Sequence, residues 1–194
     1  MRGEPGPYLR LLAAAADLAV PLDVLVELTH RCTFRCRHCY IPDFRAPDGL
    51  ATERVLALLD ELVDMGTLRL ALSGGEMMLR RDWLTIARRA RARGFELRLL
   101  TNGSLITPSL ADEIAALHAT VEVSVYAVDP DVFDGITAVA GSLERVVAAI
   151  ELLRERSVDV LVKTPVMTLN AAHTGAVARW AAQIALLRRA GRDV

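Results

Sequence analysis

Three cysteines, the only ones in the sequence, lie close together near the start of the chain. Cys32, Cys36 and Cys39 follow a C-x3-C-x2-C spacing and come directly after the apolar run Val24–Leu28. Thiolates are natural ligands for zinc and for iron–sulfur clusters. Three cysteines on one loop can hold three corners of a cubane cluster, which leaves one iron without a protein ligand. Such an iron can bind and activate a small molecule, so the pattern predicts a reactive metal centre.

Two other interpretations use the same cysteines. A structural zinc site needs four ligands, and His30 or His38 would have to complete it. Disulfides fit poorly, because three cysteines cannot all pair within one chain. The tight spacing therefore favours a metal site, with an iron–sulfur cluster as the first interpretation and zinc as the second.

The sequence around the cysteines resembles the cluster-binding loop of the radical S-adenosylmethionine enzymes. The match runs from Glu27-Leu28-Thr29-His30-Arg31-Cys32 through Cys39-Tyr40, and with the motifs downstream it covers roughly residues 21 to 170. That family usually has an aromatic residue or a histidine before the third cysteine, where this chain has His38. The resemblance implies a 4Fe-4S cluster on the three cysteines, with His38 beside bound S-adenosylmethionine.

Two glycines followed by a glutamate come directly after a predicted strand. Ser73-Gly74-Gly75-Glu76 is compatible with an ordinary tight turn, but two glycines also let the backbone approach a ligand closely. The motif is similar to the Gly-Gly-Glu motif of the family, which binds the amino group of the methionine moiety. The family usually continues with proline, and here Met77 takes that place. The resemblance assigns cofactor binding to Gly74, Gly75 and Glu76.

Two further motifs lie at the ends of later predicted strands. Thr101-Asn102-Gly103 resembles the turn with which the family lines its site, and it implies a place there for Asn102. Ser124-Val125-Tyr126 resembles the Ser-x-Tyr of peptide-modifying members, in which the serine and an arginine from the next helix bind the methionine carboxylate. Arg145 has a matching place in this chain, and a surface ion pair would explain it equally well.

A fourth strand is predicted at Val121–Tyr126, and alternation along it puts Glu122, Ser124 and Tyr126 on one side. A buried parallel strand is normally apolar throughout, so this polar row predicts a polar ligand. At the end of the fifth predicted strand, Lys163 could face a substrate, but the sequence favours a solvent-facing side chain. No general base is predicted, since the radical chemistry that the resemblance implies does not require one.

Apolar runs alternate with amphipathic helical patterns through most of the chain. Strands are predicted at Val24–Leu28, Leu68–Leu72, Phe95–Leu100, Val121–Tyr126 and Val158–Thr164. Helical stretches separate them and one follows the last, which is typical of an α/β protein with a parallel sheet. Between the fourth strand and the helix that begins at Ser142, the sequence predicts an irregular stretch. The resemblance implies a partial (β/α) TIM-like barrel of six units, of which about five are present. We expect residues 1–20 to form a helical cover and residues 21–194 a radical S-adenosylmethionine core that is incomplete at its carboxyl terminus.

Composition and charge narrow the classes of partner. The chain has 23 basic and 24 acidic residues and a net charge of −1, so no general field attracts nucleic acid. No apolar run approaches the roughly 20 residues that span a bilayer, and we expect no membrane partner. Leu11–Val20 has the length of a signal-peptide core, but Asp17 interrupts it. This favours a short amphipathic helix and a cytoplasmic protein.

The resemblance as a whole implies a radical S-adenosylmethionine enzyme. One electron from the cluster would cleave the cofactor to methionine and a 5′-deoxyadenosyl radical, which would abstract hydrogen from a substrate. The expected partners are a ribosomally made peptide or a protein as substrate, and a reductant such as flavodoxin or ferredoxin. Two alternatives stay open. One is a truncated or degenerate protein that binds cluster and cofactor without turnover, and the other is a zinc-binding structural domain.

Overall fold

Five parallel strands form a single sheet in the computed structural model, which describes residues 6–190 and the side chains through residue 184. The strands lie side by side in chain order, and each neighbouring pair is parallel. They are β1 Asp23–Glu27, β2 Arg69–Ser73, β3 Glu96–Thr101, β4 Thr120–Ser124 and β5 Asp159–Lys163. The predicted α/β class, a partial TIM-like barrel of parallel strands, is confirmed.

Seven α-helices accompany the strands within residues 6–190. They are α1 Pro7–Asp17, α2 Thr52–Asp64, α3 Trp83–Ala92, α4 Pro108–Ala116, α5 Pro130–Thr137, α6 Ser142–Glu155 and α7 Thr174–Ala190. The sequence predicted an irregular stretch where α5 lies, and that part was wrong. Asp129 caps this short helix by accepting a hydrogen bond from the Val132 N–H at 3.2 Å, and Pro130 occupies its first position. Both are helix-start signals.

The two faces of the sheet differ in polarity. One face belongs to an apolar cluster shared with the helices, and its buried strand residues are Leu70, Leu72, Leu97, Leu99, Val121 and Val123. Because side chains alternate along a strand, the residues between them point to the opposite face. There the strands carry charged residues such as Arg98 and Glu122. The sheet therefore has one packed face and one face on which charged groups can meet a ligand.

The first helix contacts the amino end of the sheet. The Tyr8 side chain of α1 lies beside Arg69, the first residue of β2. Ala15 is the one buried residue of α1, and the role of this helix as a cover stays a prediction. Among the helices in residues 6–190, none combines the length and apolar character needed to cross a bilayer.

Candidate functional site

A cavity of about 400 Å³ lies between the loop that follows β1 and the carboxyl ends of the later strands. Ligands of parallel α/β folds bind at this end of the strands. The cavity brings together eight residues that the sequence predicted for the site, namely Cys32, Cys36, His38, Cys39, Gly74, Gly75, Asn102 and Ser124. Two other predicted residues, Glu76 and Arg145, are not among those that line it.

The three cysteines are free thiols, each partly buried, on the loop between β1 and α2. Two backbone hydrogen bonds of 2.9 Å anchor this loop to the end of α5, from Arg35 N–H to the Thr137 carbonyl and from Arg37 N–H to the Ile136 carbonyl. Phe34, between the first two cysteines, is buried in the core. The helix that the sequence analysis missed thus helps to position the cysteines.

Burial raises the pKa of two of the thiols. The pKa of Cys36 rises to about 11, and that of Cys32 also lies above its usual value, in both cases mainly through desolvation. Both thiols therefore hold their protons at neutral pH in the metal-free chain. Binding of a metal or cluster has to release those protons, because thiolate is the ligand form.

Hydrogen-bond donors from two strand ends approach the cysteine sulfurs. Asn102 Nδ2 lies 3.6 Å from Cys32 Sγ and donates to Thr33 Oγ1 at 2.9 Å. The Tyr126 hydroxyl lies 3.8 Å from Cys36 Sγ. Such groups around a metal ligand fix its orientation and adjust the properties of the metal. The contact of Tyr126 with Cys36 was not predicted, because nothing local in the sequence links residues so far apart.

The glycine turn packs against the chain segment that leads into the first cysteine. Gly74 has a φ of +140°, and a Cβ at Gly74 would overlap the Thr29 carbonyl oxygen. A Cβ at Gly75 would come within 2.5 Å of the Arg31 carbonyl oxygen. The N–H groups of Gly75 and Glu76 donate to these same two carbonyls, each at 2.8 Å. The glycines are thus required for close packing against the cysteine loop, besides lining the cavity.

The Glu76 carboxylate is fully buried and bonds to the next strand end instead of facing the cavity. It accepts hydrogen bonds from Thr101 Oγ1 at 2.8 and 2.9 Å, from Asn102 N–H at 2.8 Å and from Met78 N–H at 3.2 Å. Burial raises its pKa, although these donors oppose the shift. In this arrangement Glu76 positions Asn102, and a direct contact with a cofactor stays a prediction.

The raised pKa of Glu76 predicts a pH dependence of stability. A carboxyl group whose pKa is higher in the folded than in the unfolded chain lowers stability as the pH rises from its unfolded pKa, about 4.3, towards its folded pKa. We expect the free energy of unfolding of the metal-free chain to fall, relative to Glu76→Gln, as the pH rises from about 4 to 7. Urea unfolding of both proteins across this range measures it, and a constant difference would contradict the expectation.

The polar row on β4 and just beyond it faces the cavity as alternation predicted. Glu122, Ser124 and Tyr126 all line it. The Tyr126 ring contacts the His38 ring edge-on, with 5.0 Å between centroids. Partial desolvation lowers the pKa of His38 and so favours its neutral imidazole. Burial also raises the pKa of Tyr126, so its hydroxyl keeps its proton.

The two candidate cations lie in different places. Arg145 is exposed on α6, and its guanidinium donates to the Ala140 carbonyl at 3.3 Å, away from the residues that line the cavity. Lys163 lies beside Ser124 in the strand register and lines the cavity. Its side chain is 52% exposed, as the sequence favoured, but its ammonium is 3.1 Å from Glu122 Oε2. The structure therefore places Lys163, and not Arg145, beside Ser124.

The three thiols do not form a ready site for a single zinc ion. A zinc site requires four donors that converge on one ion. In the part of the chain that the structure describes, no group of three or more His, Cys, Asp or Glu side chains is placed to hold one ion. The three thiols line one cavity. A cubane with three protein ligands would place each thiolate on a different iron.

Comparison with known sequences relates the chain to one superfamily. The sequence model of the Radical SAM superfamily matches residues 26–181. The AdoMet-dependent heme synthase of Methanosarcina barkeri is 33% identical over 147 residues, which cover 74% of this chain and 42% of that protein. The PqqA peptide cyclase of Xanthomonas axonopodis pv. citri is 38% identical over 128 residues, which cover 64% of this chain and 34% of that protein. The chain thus spans well under half the length of these relatives.

Solved structures with the same fold are more distant in sequence. Streptococcus suis SuiB superimposes with a TM-score of 0.76 at 15% identity, over 95% of this chain and 44% of SuiB. Native anSMEcpe with bound AdoMet gives a TM-score of 0.70 at 18% identity, over 82% of this chain and 48% of that chain. At this identity the likeness establishes the fold.

Proposed function

Because this chain belongs to the radical SAM superfamily, we propose that its cavity binds a 4Fe-4S cluster and S-adenosylmethionine. The observation that carries the proposal is the convergence of three thiols, a glycine turn and a polar strand row on one cavity. Cys32, Cys36 and Cys39 would hold the cluster. When bound, the cluster would supply the electron that cleaves S-adenosylmethionine to methionine and a 5′-deoxyadenosyl radical for hydrogen abstraction.

The residues around the thiols have distinct tasks in this proposal. The backbone of Gly74 and Gly75 would bind the amino group of the cofactor, and the Ser124 hydroxyl its carboxylate. Glu76 would act through Asn102, which it holds by hydrogen bonding. Arg145 would have to leave its contact with the Ala140 carbonyl to join Ser124.

The cavity also has to exclude water from a reactive radical. Buried or partly buried apolar side chains line it, among them Phe34, Ile41 and Leu100. Closing a site with such groups limits side reactions of reactive intermediates. Residues 21–194 would form the core domain that carries these apolar side chains.

A peptide or protein is the proposed substrate. The similarity to PqqA peptide cyclase supports modification of a ribosomally made peptide, and SuiB shares the fold and has been solved with the precursor peptide SuiA. A small electron-transfer protein such as flavodoxin or ferredoxin would reduce the cluster. The cytoplasm, where thiols stay reduced, is the proposed compartment.

The test is anaerobic reconstitution with iron and sulfide, followed by incubation with S-adenosylmethionine and dithionite. We expect saturable cofactor binding and formation of 5′-deoxyadenosine that requires both the cluster and the reductant. Chromatography of the products, with the metal-free chain as control, measures this. Binding without 5′-deoxyadenosine would support the degenerate binding protein, and a colourless protein with one zinc per chain would support the structural zinc domain.

A further inference from the structure

The only lysine of the sequence lies in the cavity wall. The other 22 basic residues are arginines, and Lys163 alone is a lysine. The two side chains are not equivalent, because lysine presents a compact cation with three rotatable donors and arginine a rigid planar fork. At the end of β5, beside Ser124 of β4, the chain therefore presents a point charge to the cavity.

Glu122 holds this lysine and is itself held in place. The Glu122 side chain is 3% exposed, and its two oxygens contact Lys163 Nζ at 3.1 Å and Arg98 Nη1 at 3.3 Å. Arg98 also donates to Asp23 Oδ1 at 2.7 Å, which restrains the guanidinium. A buried carboxylate with two cationic partners is a fixed anchor. Lys163, with half of its side chain exposed, is the member of this group that can turn towards a ligand.

The free donor capacity of Lys163 favours an anionic ligand. Glu122 and Asp23 together balance the charges of Arg98 and Lys163, but the exposed ammonium has three N–H donors and contacts one oxygen of Glu122. A cationic ligand would have to displace Lys163 from Glu122, whereas a carboxylate can bind the ammonium without breaking that pair. Charge-assisted hydrogen bonds between ammonium and carboxylate are among the stronger contacts of protein sites.

We propose that Lys163, anchored by Glu122, forms a carboxylate-binding subsite of the cavity. The proposal rests on the proposed function, since that function gives the cavity its cofactor and its substrate. The carboxylate has two possible sources that share this chemistry. One is the methionine part of S-adenosylmethionine, next to Ser124, where the exposed Arg145 does not reach in this structure. The other is an acidic group of a peptide substrate.

The first experiment tests the cofactor as the source. Binding of S-adenosylmethionine and of its decarboxylated analogue is measured on reconstituted wild type, Lys163→Met and Lys163→Arg. If the cofactor carboxylate binds here, Lys163→Met weakens binding of S-adenosylmethionine by about ten- to a hundredfold and leaves binding of the decarboxylated analogue unchanged. Lys163→Arg should partly restore binding of S-adenosylmethionine. Arg54→Met, which removes an exposed cation of α2 paired with Glu61, is the control and should bind both compounds like wild type.

The second experiment tests an acidic substrate group and uses the single lysine as a probe. Reductive ¹³C-methylation keeps the charge of Lys163, and the spectrum of Lys163→Met identifies its signal against that of the chain's amino terminus. We expect N-acetylglutamate, and not N-acetylglutamine, to shift the Lys163 signal of the metal-free chain if the subsite accepts acidic side chains.

The outcomes separate the subsite from the proposed function. If Lys163→Met selectively weakens binding of S-adenosylmethionine, the carboxylate comes from the cofactor. If N-acetylglutamate selectively shifts the Lys163 signal, the carboxylate comes from the substrate. If neither occurs, the subsite is overturned and Lys163 only pairs with Glu122. A wild-type chain without cluster and cofactor binding would overturn the proposed function, while the N-acetylglutamate titration would still decide the subsite.

Discussion

Replacing any of the three cysteines by alanine is expected to abolish the brown colour of the anaerobically reconstituted protein. The wild-type chain should bind about four iron and four sulfide, as a cubane on three thiolates requires. Each cysteine supplies one corner, and the described structure places no other thiol at the cavity to replace it. Iron and sulfide assays with absorption spectra measure the loss for Cys32→Ala, Cys36→Ala and Cys39→Ala.

A variant on the same loop provides the control for the cysteine series. Arg37 lies between the second and third cysteines, its side chain is exposed, and only its backbone N–H anchors the loop. Arg37→Ala keeps all three thiols and that backbone bond, so it should bind iron like the wild type. Full iron content in one of the cysteine variants would remove that cysteine from the ligand set.

Gly74→Ala is expected to lower the free energy of unfolding by about 3 kcal/mol. Two effects combine at this position. Alanine is strained at the φ of +140°, and its Cβ would overlap the Thr29 carbonyl oxygen, a backbone atom that cannot rotate away. The overlap would push the glycine turn away from the cysteine loop, so cluster binding should fall together with stability. Urea unfolding of the metal-free chain measures the first effect and iron content the second.

Gly135→Ala is the matched control for this substitution. Gly135 lies in α5, is exposed, and has no atom within 4 Å of an added Cβ. Because alanine is a better helix former than glycine, this variant should gain roughly 0.5–1 kcal/mol. Equal stabilities for Gly74→Ala and the wild type would show that the turn tolerates a side chain and that the close packing is not required.

The sequence by itself determined the features that depend on local periodicity. Apolar and helical patterns located all five strands, because strand and helix periods are set by the backbone. The same alternation placed Glu122, Ser124 and Tyr126 on one side of the predicted fourth strand, and all three line the cavity. The thiol spacing identified the candidate ligands, since residues on one short loop must lie near one another wherever the chain folds.

Only the tertiary structure decided which distant groups meet. Gly74 was predicted to bind the cofactor from a glycine turn, and the atom that forbids a side chain there belongs to Thr29 on another loop. Glu76 was predicted to bind the cofactor, and its hydrogen bonds in this structure run to Thr101 and Asn102 at the end of β3. Such contacts depend on how the strand ends are brought together, and no local pattern contains that information.

The two basic residues considered as partners of Ser124 show the same division. Their positions in the elements were predictable, with Arg145 near the start of a helix and Lys163 at the end of a strand. Which of them reaches the cavity depends on the rotation of α6 against the sheet and on the register between β4 and β5. Packing of the whole apolar core sets the rotation, and backbone hydrogen bonds between strands 39 residues apart set the register, so that Lys163 lies beside Ser124.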